Sequence, residues 1–196
     1  MDSIRGLKRV VVVGTSCAGK TTFAAELARR LQVPHVELDQ QYWLPDWQAR
    51  PKDEFRRLVR KATEAERWVV DGNYSKVRDI VWPRATSIVW LDYSFPVVFG
   101  RALRRSLRRI INRKELFSGN QETFRKTFLA RESILLWVLK TYHRRRREYP
   151  ELFAKPSYTH LVVHRLLKPT SASRFLGQVT AQTAQQGGGG SSKHGA

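Results

Sequence analysis

The sequence predicts a three-layer α/β fold, a parallel sheet of about five strands with helices on both faces. Three observations predict it. A β-branched run, Val10 to Val13, leads directly into GTSCAGKTT, Gly14 to Thr22, which satisfies G-x-x-x-x-G-K-[ST] at every defined position. Short apolar runs alternate with helical periodicities, the order that builds a parallel sheet covered on both sides. Three of those runs finish on aspartate, at Asp39, Asp71 and Asp92, so in a parallel sheet these carboxylates share one rim with the glycine loop.

Each element has its own signal. Strand one is Val10 to Val13, and the first helix runs from about Gly19 to Leu31, where Phe23, Leu27 and Leu31 recur at helical spacing before Pro34. HVELD, His35 to Asp39, reads as a second strand ending in a carboxylate. The connection after it carries Tyr42, Trp43, Pro45 and Trp47 and enters a helix after Pro51, whose Phe55, Leu58, Val59 and Ala62 form one apolar stripe. WVVD, Trp68 to Asp71, is a third strand and SIVWLD, Ser87 to Asp92, a fourth. In the helix after Pro96, Phe99, Leu103, Leu107 and Ile110 make the apolar side, while Arg101, Arg104, Arg105 and Arg108 fall at i, i+3, i+4 and i+7 on another. Asn112 to Thr127, centred on Ser118, Gly119 and Asn120, reads as a mobile excursion. A further helix, Phe128 to Tyr149, carries Leu135, Val138, Leu139 and Tyr142 on its core side and ends with Arg144 to Arg147, whose charge complements a C-terminal dipole. A fifth strand, His160 to His164, precedes a short helix around Phe175, Leu176 and Val179. Residues 181–196, with almost no apolar content and four consecutive glycines, are expected to be a disordered tail, which leaves 1–180 as one domain.

The glycine loop carries the chemistry. Glycines let successive backbone N–H groups turn inward around a β-phosphate, Lys20 reaches the β/γ oxygens, Thr21 supplies a hydroxyl for Mg²⁺, and the helix that starts there turns its N-terminal dipole to the anion. The expected triphosphate-binding residues are Gly14, Thr15, Ser16, Cys17, Ala18, Gly19, Lys20, Thr21 and Thr22, with ATP and Mg²⁺ as cofactors. Cys17 reads as a small residue filling a tight loop, or as a thiol activated by a helix N-terminus.

Composition sets the bounds. With 196 residues and 41% hydrophobic content the chain can build one α/β core, and its single cysteine excludes an internal disulfide and a multi-cysteine zinc site. No apolar run approaches the roughly 18 residues that span a bilayer and no secretory signal is visible, so a cytoplasmic location is expected. The net charge of +19 implies anionic partners: nucleotides, nucleic acid or an acidic membrane surface.

The chain resembles the nucleoside-monophosphate-kinase branch of P-loop NTPases over nearly its whole folded part. WVVDGNY, Trp68 to Tyr74, is similar to the DGFPR stretch of adenylate kinase. LDQQYWLPDW from Leu38, DGNYS from Asp71 and the arginine-rich helix after Asp92 most closely resemble the DNA topology modulation proteins. The resemblance implies a P-loop NTPase three-layer fold with strand order 2-3-1-4-5 and an arginine-rich helical lid over about 101–131. It implies that Asp71 holds Mg²⁺ through water, that Asp39 faces the acceptor together with Gly72, Asn73 and Tyr74, and that Arg101 and Arg105 match the paired lid-base arginines. The sequence departs from adenylate kinase where Ser75 replaces the arginine of DGFPR and where no threonine-arginine pair follows strand two, so the grip on AMP is missing.

These residues support ATP-dependent transfer of a γ-phosphoryl group to a small acceptor, with Lys20, Asp39, Asp71, Arg101 and Arg105 as the catalytic candidates. Asp39 would serve as general base if the acceptor is a hydroxyl, and no base is required if it is a phosphate. Tyr42, Trp43 and Trp47 lie where an acceptor pocket is expected; residues of this kind more often pack into a core or lid, and their faces could instead stack on a base. The alternative is a nucleic-acid-binding ATPase that affects DNA topology, favoured by the charge. The sequence does not set the oligomeric state.

Overall fold

The computed structural model describes residues 6–112 and 134–187. β1 (Arg9–Gly14) is the middle of a five-stranded sheet ordered β2-β3-β1-β4-β5, in which β2 is His35–Glu37, β3 Trp68–Asp71, β4 Ser87–Leu91 and β5 Val162–Leu166. Every neighbouring pair is parallel. A parallel sheet is buried on both faces, which is why its central strands are runs of valine rather than alternations of apolar and polar residues.

The two sides of β1 define two cores. Val10 and Val12 pack with Phe23 and Leu27 of α1 (Lys20–Leu31) and with Phe175 and Val179 of α7 (Pro169–Gly187). Val11 and Val13 pack with Phe55 and Val59 of α3 (Lys52–Ala62) and with Tyr149 and Leu152 of α6 (Ile134–Phe153). This sandwich holds the sheet rigidly, and the C-terminal ends of the strands form the rim from which the phosphate loop rises.

Several boundaries differ from those expected. β2 stops at Glu37 because the chain turns into α2 (Leu38–Tyr42); a helical turn brings Leu38 and Tyr42, four residues apart, onto the same buried side. Asp39 therefore rides on a helical turn beyond the strand rather than at its end. β4 likewise ends at Leu91, one residue before Asp92. β5 begins two residues later than expected, since Leu161 N–H closes a turn on Tyr158 C=O (3.1 Å) and the ladder starts with Val162 N–H on Thr86 C=O (3.1 Å). A short α4 (Arg78–Val81) follows β3.

The helices after β4 also correct the reading. In α5 (Phe95–Asn112) the buried side is Val98 and Ala102, with Phe95 against Tyr142 at 5.3 Å, whereas Leu103 and Leu107 of the expected stripe are 36% and 46% exposed. Two apolar stripes run side by side on this helix, and the one beginning at Phe95 is the one the core can reach. α6 continues to Phe153 through Pro150, so Arg144 to Arg147 lie in its interior and the dipole explanation fails. Stacking of Tyr149 on Phe153 at 5.8 Å carries the helix onward. α7 runs to Gly187, past the Thr180 boundary, because a segment rich in alanine and glutamine continues a helix readily without apolar residues. The expected excursion over residues 113–127 and most of the expected lid, 113–131, lie outside the described residues. No helix among the described residues is long and apolar enough to cross a membrane.

Candidate functional site

The loop between β1 and α1 has the shape that its glycines and one unexpected residue dictate. Gly19 caps α1 at φ +90° with no side-chain cap bond, so the first N–H groups of a 12-residue helix are left for an anion. Cys17 also adopts the left-handed region, at φ +64°, a conformation that glycine adopts without steric cost. Its thiol stands 3.9 Å from Arg105 Nη1. Lys20 folds back so that its ammonium donates to Thr15 C=O at 3.3 Å. Desolvation is the largest influence on that ammonium and lowers its pKa, against the raising fields of Asp39 and Asp71.

Thr21 and Asp71 meet directly. The Thr21 hydroxyl donates to Asp71 Oδ2 at 2.8 Å and stands 3.3 Å from Glu37 Oε1. His35 Nε2 donates to Asp71 Oδ1 at 2.8 Å, which fixes the carboxylate on a 2% exposed residue. Parallel pairing sets Glu37 directly abreast of Asp71. Burial first, then the neighbouring Asp71 and Asp39, raise the Glu37 pKa. His35 and Glu37 escaped the sequence reading; the signal was their alternation in HVE, which places both on one face of β2 beside a strand that ends in Asp71. Among the described residues no group of three or more His, Cys, Asp or Glu could hold a metal alone. A hydroxyl beside a carboxylate fits Mg²⁺, which takes one or two protein oxygens and completes its octahedron with water and substrate phosphates.

Asp39 is reached through tyrosine. Tyr74 O–H donates to Asp39 Oδ1 at 2.5 Å, and Trp43 hydrogen-bonds Tyr74 in turn. Burial and the adjoining Asp39 push the Tyr74 phenol far above its ordinary pKa, so it remains a donor at every physiological pH. Tyr42 does not present a stacking face: it is buried, 4.7 Å from the Tyr74 ring and 5.1 Å from Phe55, and Lys76 Nζ donates to its hydroxyl at 2.8 Å. Trp43 is only partly buried, and its ring meets Tyr42 edge-on. Asn73 straps the rim together: its Nδ2 donates to Gly14 C=O at 2.5 Å and its Oδ1 accepts from Tyr149 O–H at 2.7 Å. Gly72 is held at φ +137°, where any Cβ would lie 2.8 Å from Leu38 Cβ.

The arginines of α5 close the other side. Arg101 Nη1 donates to Ala18 C=O at 2.6 Å and its guanidinium lies 5.1 Å from the Tyr93 ring, while Arg105 reaches Cys17. These residues, Ser16, Thr22, Asp39, Arg104 and, from the start of α7, Pro169, Ala172 and Ser173 line one cleft of about 680 Å³. The space framed by Leu38, Gly72, Asn73 and Tyr149 is about 10 Å³, room for one water at most.

No protein-family model matches the chain. A relative from Bacillus subtilis (strain 168), the uncharacterized protein YqaC, is 29% identical over 129 residues, covering 65% of this chain and 72% of YqaC. The structure is similar to the shikimate kinase from Acinetobacter baumannii in complex with shikimate, with a TM-score of 0.54 at 13% identity over 92% of this chain and 95% of that one. The fold is that of the P-loop kinases. A gluconokinase from Sinorhizobium meliloti 1021 aligns over 93% of this chain and 98% of its own, at 16% identity and a TM-score of 0.48.

Proposed function

We propose that this chain is an ATP-dependent phosphotransferase that moves the γ-phosphoryl group to a small acceptor. The observation that carries the reading is the contact of Thr21 with Asp71, 2.8 Å, one residue from Lys20 and across the loop from Arg101 and Arg105. Phosphoryl transfer needs in-line placement and neutralised charge more than covalent machinery, and these groups supply both. Mg²⁺ bound at Thr21, with Asp71 acting through water, would neutralise charge on the β- and γ-phosphates.

The protein's own groups divide the work. Loop amides and Lys20 hold the triphosphate; Arg101 and Arg105 meet charge that spreads onto the transferring group; Asp39, held by Tyr74, takes a hydroxyl proton. The likeness to a shikimate kinase supports the fold on which such chemistry is built, while the narrower resemblance to adenylate kinase and DNA topology modulation proteins rests on the sequence motifs. Incubation with γ-labelled ATP and a panel of nucleosides, nucleotides and polyols tests the reading: labelled product from one acceptor supports it, and label released only as phosphate refutes it.

A second reading, a nucleic-acid-dependent ATPase, draws support from α6. Lys140, His143, Arg144 and Arg147 follow one another at i, i+3, i+4 and i+7 and are all exposed, a basic stripe suited to a phosphate backbone. Stimulation of hydrolysis by DNA or RNA would favour that reading.

A further inference from the structure

Val36 is the core residue of β2, packed with Phe55 and Val59, so the alternation of the strand turns His35 and Glu37 to the opposite face, where Thr21 opens α1. Asp71 stands on that same face, one strand over and in register with Glu37. His35 is in register with Val69, two residues earlier, and its imidazole reaches diagonally across the ladder to Asp71.

Each oxygen of Asp71 thus has its own donor. Oδ1 takes His35 Nε2 and Oδ2 takes the Thr21 hydroxyl, both at 2.8 Å. Rotation of the carboxylate would break both bonds, on a residue so buried that water is not at hand to replace them. Glu37 is held from outside: the exposed Gln40 donates to its Oε2 at 2.9 Å, while Thr21 stands 3.3 Å from its Oε1. Packing alone does not call for an imidazole at His35, whose side chain is 20% exposed at the first residue of a three-residue edge strand.

Resting on the reading of this loop as a Mg²⁺–ATP site, we infer that His35 is a positioning residue, which fixes Asp71 so that Oδ2, the oxygen beside Thr21, is kept for the water of the metal. It acts through Asp71 alone. A carboxylate that orders metal-bound water with one oxygen depends on how the other is held, and losing such a support lowers metal affinity about 10–100-fold.

Two substitutions separate this role from a structural one. His35→Gln keeps an N–H donor of similar reach, whereas His35→Leu keeps bulk and removes the donor. Binding of the non-hydrolysable ATP analogue AMP-PNP is measured by calorimetry and thermal shift over a series of Mg²⁺ concentrations, and again in EDTA. In His35→Leu the Mg²⁺ midpoint is expected to rise about 10-fold or more, while binding in EDTA stays within about three-fold of the parent. His35→Gln is expected to recover most of the midpoint. A role confined to the fold would lower the ligand-free Tm and leave the midpoint in place. Should His35→Leu fail to fold, ¹⁵N-imidazole spectra of the parent decide, with the His35 signal assigned by its loss in His35→Gln: the proton is expected on Nε2 with and without Mg²⁺ and AMP-PNP. An unchanged midpoint in His35→Leu, no recovery in His35→Gln, or a proton on Nδ1 alone overturns the inference while nucleotide binding stands. Absence of AMP-PNP binding to the parent at every Mg²⁺ concentration overturns the phosphotransfer reading as well.

Discussion

Lys20 sits in a place that penalises its charge. Desolvation lowers its pKa below the ordinary 10.5, so in the ligand-free protein the charged lysine costs stability at every pH below the folded value. That cost shrinks as pH rises through the interval up to 10.5 and vanishes above it, where both folded and unfolded chains carry a neutral amine. Lys20→Met should therefore melt at the same or a higher temperature than the parent in the absence of nucleotide. The same variant should lose the thermal shift that ATP produces and about 10²–10³-fold of kcat; a clear fall in ligand-free Tm would show that the lysine stabilises the loop. Asp71→Asn belongs beside it: His35 and Thr21 keep their contacts to an amide poorly, and turnover should fall about 10²-fold with a raised requirement for Mg²⁺, read from titration of the metal. At this scale the sequence was legible where a motif fixes the placement, as for Gly19 at the head of α1 and for Thr21, which meets Asp71. It was illegible for Tyr74 and Asn73, because DGNY does not reveal that one side chain turns to Asp39 and the other to Gly14 and Tyr149.

Elements hold the site through a few contacts that propensity does not show. Gly72 joins β3 to the strap residue Asn73 at φ +137°, with Leu38 of α2 so close that a methyl would strike it at 2.8 Å. Gly72→Ala thus faces backbone strain and a clash together, and should cost about 1–3 kcal/mol in denaturant unfolding. α6 is anchored to the rim by Tyr142 O–H on Tyr93 C=O at 3.0 Å, by Tyr149 on Asn73, and by Arg146 on Asp92 at 2.8 Å, a carboxylate that Arg165 also grips at 2.6 Å. Tyr149→Phe removes one neutral hydrogen bond and should cost about 1 kcal/mol in the same measurement, with a larger KM for ATP because Gly14 is held through the freed Asn73. A stability change without any change in KM would mean that the strap does not reach the loop. Strand and helix order was readable because burial on both faces writes valine runs and 3.6-residue stripes into the sequence. The ends of β2 and β5 were not, since hydrogen bonds in the adjoining turns, rather than side-chain pattern, decide where a ladder starts and stops.

Across the whole molecule, the order β2-β3-β1-β4-β5 gathers Asp39 with Lys20, Arg101, Arg104 and Arg105 in one cleft beside the phosphate loop. That grouping could not be read from a net charge of +19, which says only that anions are attracted. The exposed stripe on α6 is a separate matter: Lys140, Arg144 and Arg147 are not among the residues lining the cleft. Three permanent cations on a duplex backbone give a slope of about −2.7 in log K against log salt, so affinity for DNA should fall on the order of 40-fold between 50 and 200 mM salt. If phosphotransfer is the activity, this binding is not coupled to the rim, and duplex DNA at saturating concentration should leave kcat unchanged at both salt concentrations. Replacing the three cations with glutamine should abolish the salt-dependent binding without altering transfer. Stimulation of ATP turnover by DNA that disappears in the triple variant would instead tie α6 to the loop through Tyr149, Asn73 and Gly14, and would make the nucleic-acid reading the correct one.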